Sequence, residues 1–137
     1  MGSHAEDQNT DVIRRMFASL SAGDYDEMAA RFAEDIEFDL PYARQGSLAP
    51  FVGRGPVKDL LTGVFDGSFD RFAIEVDTMY PGADGETIVV EYRSNGTYKH
   101  DGSTYANRYV GIFRVRAGAI VFWREYHNPE AVTSAIS

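Results

Sequence analysis

The sequence contains no cysteine, which excludes disulfides, thiolate metal ligands and cysteine nucleophiles. A reducing, cytoplasmic setting is the expectation that fits. Long apolar runs are also missing: nothing approaches the ~20 residues that span a bilayer, and no signal-peptide pattern opens the chain. Histidine is scarce, with three residues and no ligand spacing, so neither metal nor cofactor is expected. No phosphate-cradling glycine loop and no G-x-S-x-G elbow are present. Basic residues are in the minority, 13 against 21 acidic, giving a net charge of -8. With no Lys/Arg run, neither nucleic acid nor an anionic membrane is expected as a partner.

What remains is an ordinary globular composition. The chain has 137 residues, 44% of them apolar, which suits one domain around one core. Met1-Gly2-Ser3-His4 reads as a cloning remnant, placing a single domain over 5–137. Val12, Ile13, Met16, Phe17 and Leu20 recur at helical spacing, with caps available at Asp7 to Thr10 and a stop at Ala22-Gly23. Asp24 caps a second helix with Met28, Ala29, Phe32 and Ala33 on one face. Ile36, Phe38 and Leu40 alternate as a strand ending at Pro41. Residues 41–54 read as a long loop, and Gly55-Pro56 opens a third helix carrying Val57, Leu60, Leu61, Val64 and Phe65. Strands follow over 72–79, 86–98, 103–115 and 119–127. Helices first and an antiparallel meander last is an α+β order, with three helices packed on a curved, mostly antiparallel sheet.

Two glycine turns, His100-Asp101-Gly102 and Arg116-Ala117-Gly118, set an expected register. As three-residue hairpin loops they pair Lys99 with Ser103 and Val115 with Ala119. One face then carries the rows Glu91–Gly111–Trp123, Arg93–Tyr109–Glu125 and Asn95–Asn107–His127, together with Val89, Phe113 and Val121. The other face carries Ile88, Val90, Tyr92, Val110, Ile112, Ile120, Phe122 and Tyr126, with Arg108 and Arg124. A different loop length would flip a strand.

Two signatures carry a resemblance. The first is Ser21-Ala22-Gly23-Asp24-Tyr25-Asp26 followed by Phe32-Ala33-Glu34-Asp35. The second is Tyr105-Ala106-Asn107-Arg108-Tyr109, then Phe113-Arg114-Val115, Gly118 and Trp123-Arg124-Glu125-Tyr126. Over residues 10–129 the chain resembles the SnoaL-like branch of the nuclear transport factor 2-like, or ketosteroid isomerase-like, superfamily. The resemblance implies a cone-shaped α+β barrel whose helices cup the concave sheet face and enclose a pocket. It hosts isomerases, cyclases, dehydratases, epoxide hydrolases and binding modules, so it leaves the reaction open.

The face with Glu91, Tyr109, Trp123, Glu125 and His127 is assigned to that pocket. Glu125 is the leading acid/base, because a carboxyl enclosed by Trp123 and Phe113 would be desolvated. Its position is similar to that of the acid/base in a phenazine-biosynthesis branch. An ion pair with Arg93 or Arg124 is the alternative. His127 is the assisting titratable group. Asn107 and Tyr109 are candidate donors to a ligand oxygen, and Gly111 enlarges the space opposite Trp123. Met16 and Phe17 complete the wall, with Asp39 and Tyr42 at its rim. The ketosteroid isomerase hallmarks are absent. Leu40, not aspartate, precedes Pro41, and the positions of its oxyanion tyrosine and protonated aspartate fall on Met16 and Gly111.

The expected function is cofactor-free acid/base chemistry on a small hydrophobic oxygenated ring compound: isomerisation, cyclisation or dehydration. A non-catalytic small-molecule binder is one alternative. Epoxide hydrolysis, with Glu91, Glu125 and Asp39 converging on a water, is another. A homodimer through the sheet face of Val90, Ile112, Ile120 and Phe122 is expected, since large apolar patches seldom stay uncovered.

Overall fold

The computed structural model describes residues 3–42 and 50–129, with residues 3–6 described by their backbone alone. Among the described residues, three helices and six strands follow in the order α1 (Ser3–Ser21), α2 (Tyr25–Ala29), β1 (Phe32–Asp39), β2 (Phe51–Val52), α3 (Arg54–Ser68), β3 (Phe69–Pro81), β4 (Thr87–Tyr98), β5 (Thr104–Arg116) and β6 (Ala119–His127). The Asp24 carboxylate accepts from Glu27 N–H at 3.1 Å, the expected cap of α2. That helix is a single short turn, and Phe32 and Ala33, expected on it, open β1 instead. The expected loop over 41–54 contains β2, which pairs with β1; its residues 43–49 lie outside the described residues.

The sheet order is β2-β1-β6-β5-β4-β3. β1 runs parallel to β6, and the other pairs are antiparallel. The sheet is mixed and open, with β2 and β3 as its edges, not a closed barrel. All three helices lie on one face, called inner below.

The hairpins correct the expected register. Tyr98 N–H donates to Ser103 O at 2.9 Å and Gly102 N–H to Tyr98 O at 3.0 Å, so the first loop holds four residues, 99–102. That one extra residue turns β4 over relative to β5. Rows now read Ile88–Phe113–Trp123, Val90–Gly111–Glu125 and Tyr92–Tyr109–His127, with Ser94 opposite Asn107. The second turn is a two-residue loop with both residues left-handed, Ala117 at φ 52° and Gly118 at φ 79°, the arrangement that suits a tight hairpin. A bulge at Val121 between the pairs Val115↔Ile120 and Arg114↔Phe122 then restores the parity of β6.

The consequences follow strand by strand. Glu91, Arg93 and Asn95 point outward, and Ile88, Val90 and Tyr92 point inward. Ile120, ahead of the bulge, also turns inward. Val90 and Ile120 are therefore fully buried in the core and cannot belong to a dimer face. Trp123 sits at the centre of that core. Its ring lies 4.7 Å from Phe38, 5.0 Å from Phe113 and 5.7 Å from Phe17, centroid to centroid.

Candidate active site

Under α3 the inner face is hollow. A cavity of about 330 Å³ is bounded by Leu60, Leu61, Val64 and Phe65 of α3, by Phe69 and Phe72 of β3, and by Phe38 and Leu40 at the end of β1. Tyr98, Tyr105, Tyr109, Glu125 and His127 complete it from β4, β5 and β6. Phe65, Phe69, Phe72, Tyr98 and Tyr105 form one wall of packed rings, with Phe69 stacked on Tyr98 at 4.8 Å and Phe65 tilted against Phe72 at 4.4 Å. A mostly apolar cavity with a few convergent polar groups is how small-molecule sites are built. No lysine or arginine lines it among the described residues.

Glu125 is the one carboxylate in that lining. Desolvation by the surrounding apolar side chains pushes its pKa up to about 7, although the hydrogen bond from Tyr92 opposes the rise. Tyr92 Oη donates to Glu125 Oε2 at 2.6 Å and accepts from Trp123 Nε1 at 3.2 Å. Tyr92 is itself buried, and desolvation, with the neighbouring carboxylate second, holds its phenol well above the ordinary range. The alternative reading of Glu125, an ion pair with Arg93 or Arg124, does not hold, because both arginines are paired elsewhere. Arg93 binds Glu75 at 2.8 Å and Asp77 at 3.3 Å on the outer face, and Arg124 binds Asp39 at 2.8 Å.

His127 lines the same cavity two residues further on. Burial lowers its pKa, which keeps the imidazole neutral at pH 7, and its Nδ1 is buried without a hydrogen-bond partner. Tyr109 lies between the two elements of the site. Its ring stacks on Tyr92 at 4.9 Å, and its hydroxyl meets Ser94 Oγ at 2.6 Å and Tyr105 Oη at 3.4 Å. Desolvation raises its pKa as well, so it stays a phenol.

The remaining expected residues lie elsewhere. Asn107 shares the inner face but not the cavity lining. Its amide donates to Tyr105 Oη at 2.7 Å and its oxygen accepts from Asn128 N–H at 3.3 Å, so it ties the end of β6 to β5. Met16, Phe17, Phe113 and Trp123 are buried in the solid core beside the cavity rather than in its wall. Gly111 does leave space, but Tyr92 fills it. A Cβ there would lie 2.9 Å from Tyr92 Cε1 and 2.8 Å from Phe113 Cε1. Glu91, turned outward with β4, accepts from Tyr80 Oη at 2.8 Å. Asp39 is held by Arg124, and Tyr42 is exposed and packs on Tyr126 at 5.4 Å. Glu91, Asp39 and Glu125 therefore do not converge, which removes the geometry that epoxide hydrolysis would need.

Sequence reasoning missed Tyr92, Tyr98, Tyr105, Phe69, Phe72 and the α3 wall as parts of the site. For Tyr92 the missing signal was one loop residue. For α3 the apolar stripe was visible, but its position over the sheet was not. A wider concavity of about 680 Å³ lies on the outer face, lined by Arg71, Glu75, Arg93, Asn95 and Arg108 among others. Its polar groups largely satisfy one another at exposed positions, as in Arg71 Nη2 to Asn95 Oδ1 at 2.7 Å.

Comparison with known proteins agrees with this architecture. The family described as the SnoaL-like domain matches residues 13–123. The uncharacterized protein YesE of Bacillus subtilis (strain 168) is 26% identical over 125 residues, covering 91% of this chain and 84% of that protein. A Bacillus subtilis crystal structure provisionally described as an isomerase superposes with a TM-score of 0.84 at 24% identity, covering 96% of this chain and 94% of the other. One from Xanthomonas campestris pv. campestris, provisionally described as a polyketide cyclase, gives 0.83 at 22% identity over 97% and 99%. At these identities the two structures attest the fold.

Proposed function

Because the chain belongs to the SnoaL-like domain family, we propose that it is a cofactor-free acid/base enzyme acting on a small, hydrophobic, oxygenated ring compound. The observation that carries this reading is a carboxyl with a pKa of about 7 in an apolar cavity of about 330 Å³. A general acid/base works best when its pKa lies near the working pH. Glu125 takes a proton from the carbon beside a ring carbonyl, and the electron pair moves to the carbonyl oxygen as an enolate. Tyr109 or His127 donates a hydrogen bond to that oxygen. Returning the proton from Glu125 to another carbon completes an isomerisation. If the enolate carbon attacks a second carbonyl instead, Glu125 protonates the new alkoxide and a ring closes.

Native mass spectrometry on the protein purified from its own host identifies the bound compound. With that compound, Glu125→Gln should lower turnover by ~10²-fold or more, while affinity changes little because the ring wall is intact. Unchanged turnover would leave the cavity as a binding site only, the reading of a non-catalytic small-molecule carrier.

The assembly that goes with this reading is a homodimer through the outer sheet face. There Val110, which is 38% exposed, lies among Ile112, Phe122 and Tyr126. Arg71, Arg93, Arg108, Arg114, Arg116 and Arg124 share that face, six of the 13 basic residues, and Arg93, Arg116 and Arg124 are paired there with acidic side chains. A sedimentation mass of one chain at micromolar concentration would remove the dimer.

A further inference from the structure

Glu125 is reached by a tyrosine from two strands away. Tyr92 stands on β4 opposite Tyr109, whereas Glu125 on β6 stands opposite Gly111 of the intervening β5. To bond Glu125, the Tyr92 phenol crosses β5 over Gly111, where any Cβ would sit 2.9 Å from its Cε1 and 3.1 Å from its Oη. Both ends of the bridge are directional. The Trp123 indole N–H can only donate, so Tyr92 Oη accepts from it. The phenol then has one proton to give, and Glu125 Oε2 is the acceptor it meets. If Oε2 carried the carboxyl proton, the buried Tyr92 hydroxyl could donate only to a hydroxyl oxygen, a weaker acceptor than the carbonyl or carboxylate oxygen it would otherwise meet.

We propose that Trp123, Tyr92 and Glu125 form a polarised relay that keeps the exchangeable proton of Glu125 on Oε1. Tyr92 is the positioning residue of this relay, and Gly111 is the opening that admits it. The proposal refines the acid/base reading of Glu125, but it concerns where the proton sits rather than turnover, so either can fail without the other. Tyr92 also stabilises the ionised carboxylate, which holds back the rise that burial causes. Among the described residues, the other titratable groups lining the cavity with Glu125 are His127 on its own strand, Tyr98 on β4, and Tyr105 and Tyr109 on β5. α3 presents Leu60, Leu61, Val64, Phe65 and Ser68 to the cavity, Phe38 of β1 and Leu40 just after it close the side, and none of these carries charge.

The chain has one tryptophan, so a single indole N–H resonance reports on the relay. In the wild type that signal should shift with pH through a midpoint near that of Glu125, because ionisation draws the Tyr92 proton away and changes what the indole donates to. Glu125→Gln should abolish the shift while His127 still titrates, which separates the two groups. With δ-carboxyl-labelled glutamate, Tyr92→Phe should move the Glu125 midpoint up by about one pH unit or more and flatten the indole response. Gly111→Ala should act in the same direction without altering any atom of Glu125. A flat indole signal in the wild type across neutral pH overturns the relay. So does a Tyr92→Phe midpoint that stays put or falls. If Tyr92→Phe does not fold, the wild type and Glu125→Gln decide the matter by themselves.

Discussion

Under α1 the inner face of the sheet is filled, whereas under α3 it is left hollow. Beneath α1, Ile13, Met16, Phe17 and Leu20 share one core with Ile88, Phe113, Val115 and Ile120, all nearly or fully buried. Beneath α3, Phe65 packs on Phe72 of β3, but Leu60, Leu61 and Val64 border a cavity that reaches the ends of β4, β5 and β6. Both helices carry apolar stripes, so hydrophobicity alone does not distinguish them. The difference lies in what faces them. The α1 half meets aliphatic groups and the Phe113–Trp123 stack, which interlock. The α3 half meets large rings that pack on one another and three polar side chains that cannot be covered cheaply. The solid half holds Tyr92 and Trp123 rigidly, and through them it fixes the one carboxyl at the border of the hollow half.

The same substitution placed in the two halves tests this contrast most strongly. Leu20→Ala, in the filled half, should cost about 3 kcal/mol or more, the scale of a new cavity in a packed core. Leu60→Ala, whose side chain already borders a void, should cost about 1 kcal/mol or less. Equal losses, measured by denaturant unfolding, would mean that the hollow half is packed as tightly as the other.

The next effect belongs to the border between the halves. Burial raises the folded-state pKa of Glu125 from the ordinary carboxylate range to about 7. The fold therefore favours the protonated group, an advantage fully present below the unfolded pKa and lost as pH rises toward 7. Glu125→Gln removes that dependence. Relative to the wild type, the variant should gain up to about 3 kcal/mol between pH 4 and pH 8. Paired thermal melts at the two pH values check the sign. A constant difference would place Glu125 in water.

The smallest effect is expected outside both halves. Glu91→Gln, on the outer face, should alter stability by no more than about 0.5 kcal/mol and leave the titration of Glu125 unchanged. A large effect there would favour the three-residue hairpin over the four-residue one.

Much of the fold was legible in the chain because its periodicities are clean. The α1 stripe, the Asp24 cap, the β4 to β6 meander and the shared face of Asn107, Tyr109, Phe113, Trp123, Glu125 and His127 were all expected and all stand. What failed turned on single residues. The loop after Tyr98 holds four residues where three were expected, and strand alternation magnified that into the inversion of Glu91 and Tyr92. The bulge at Val121 cancelled a second error of the same size, which is why Glu125 kept its face while Ile120 lost its own. The solid and hollow halves could not be told apart in advance, because Met16, Phe17 and Phe65 are equally apolar. Only the packing of their neighbours separates wall from core.

The central claim is that the carboxyl of Glu125 holds its proton to near neutral pH. Its most direct test is a pH titration of the protein carrying δ-carboxyl ¹³C glutamate, with Glu125→Gln identifying the signal. The account predicts a midpoint of about 7 for Glu125. A midpoint in the ordinary carboxylate range, ~4.3, would contradict it.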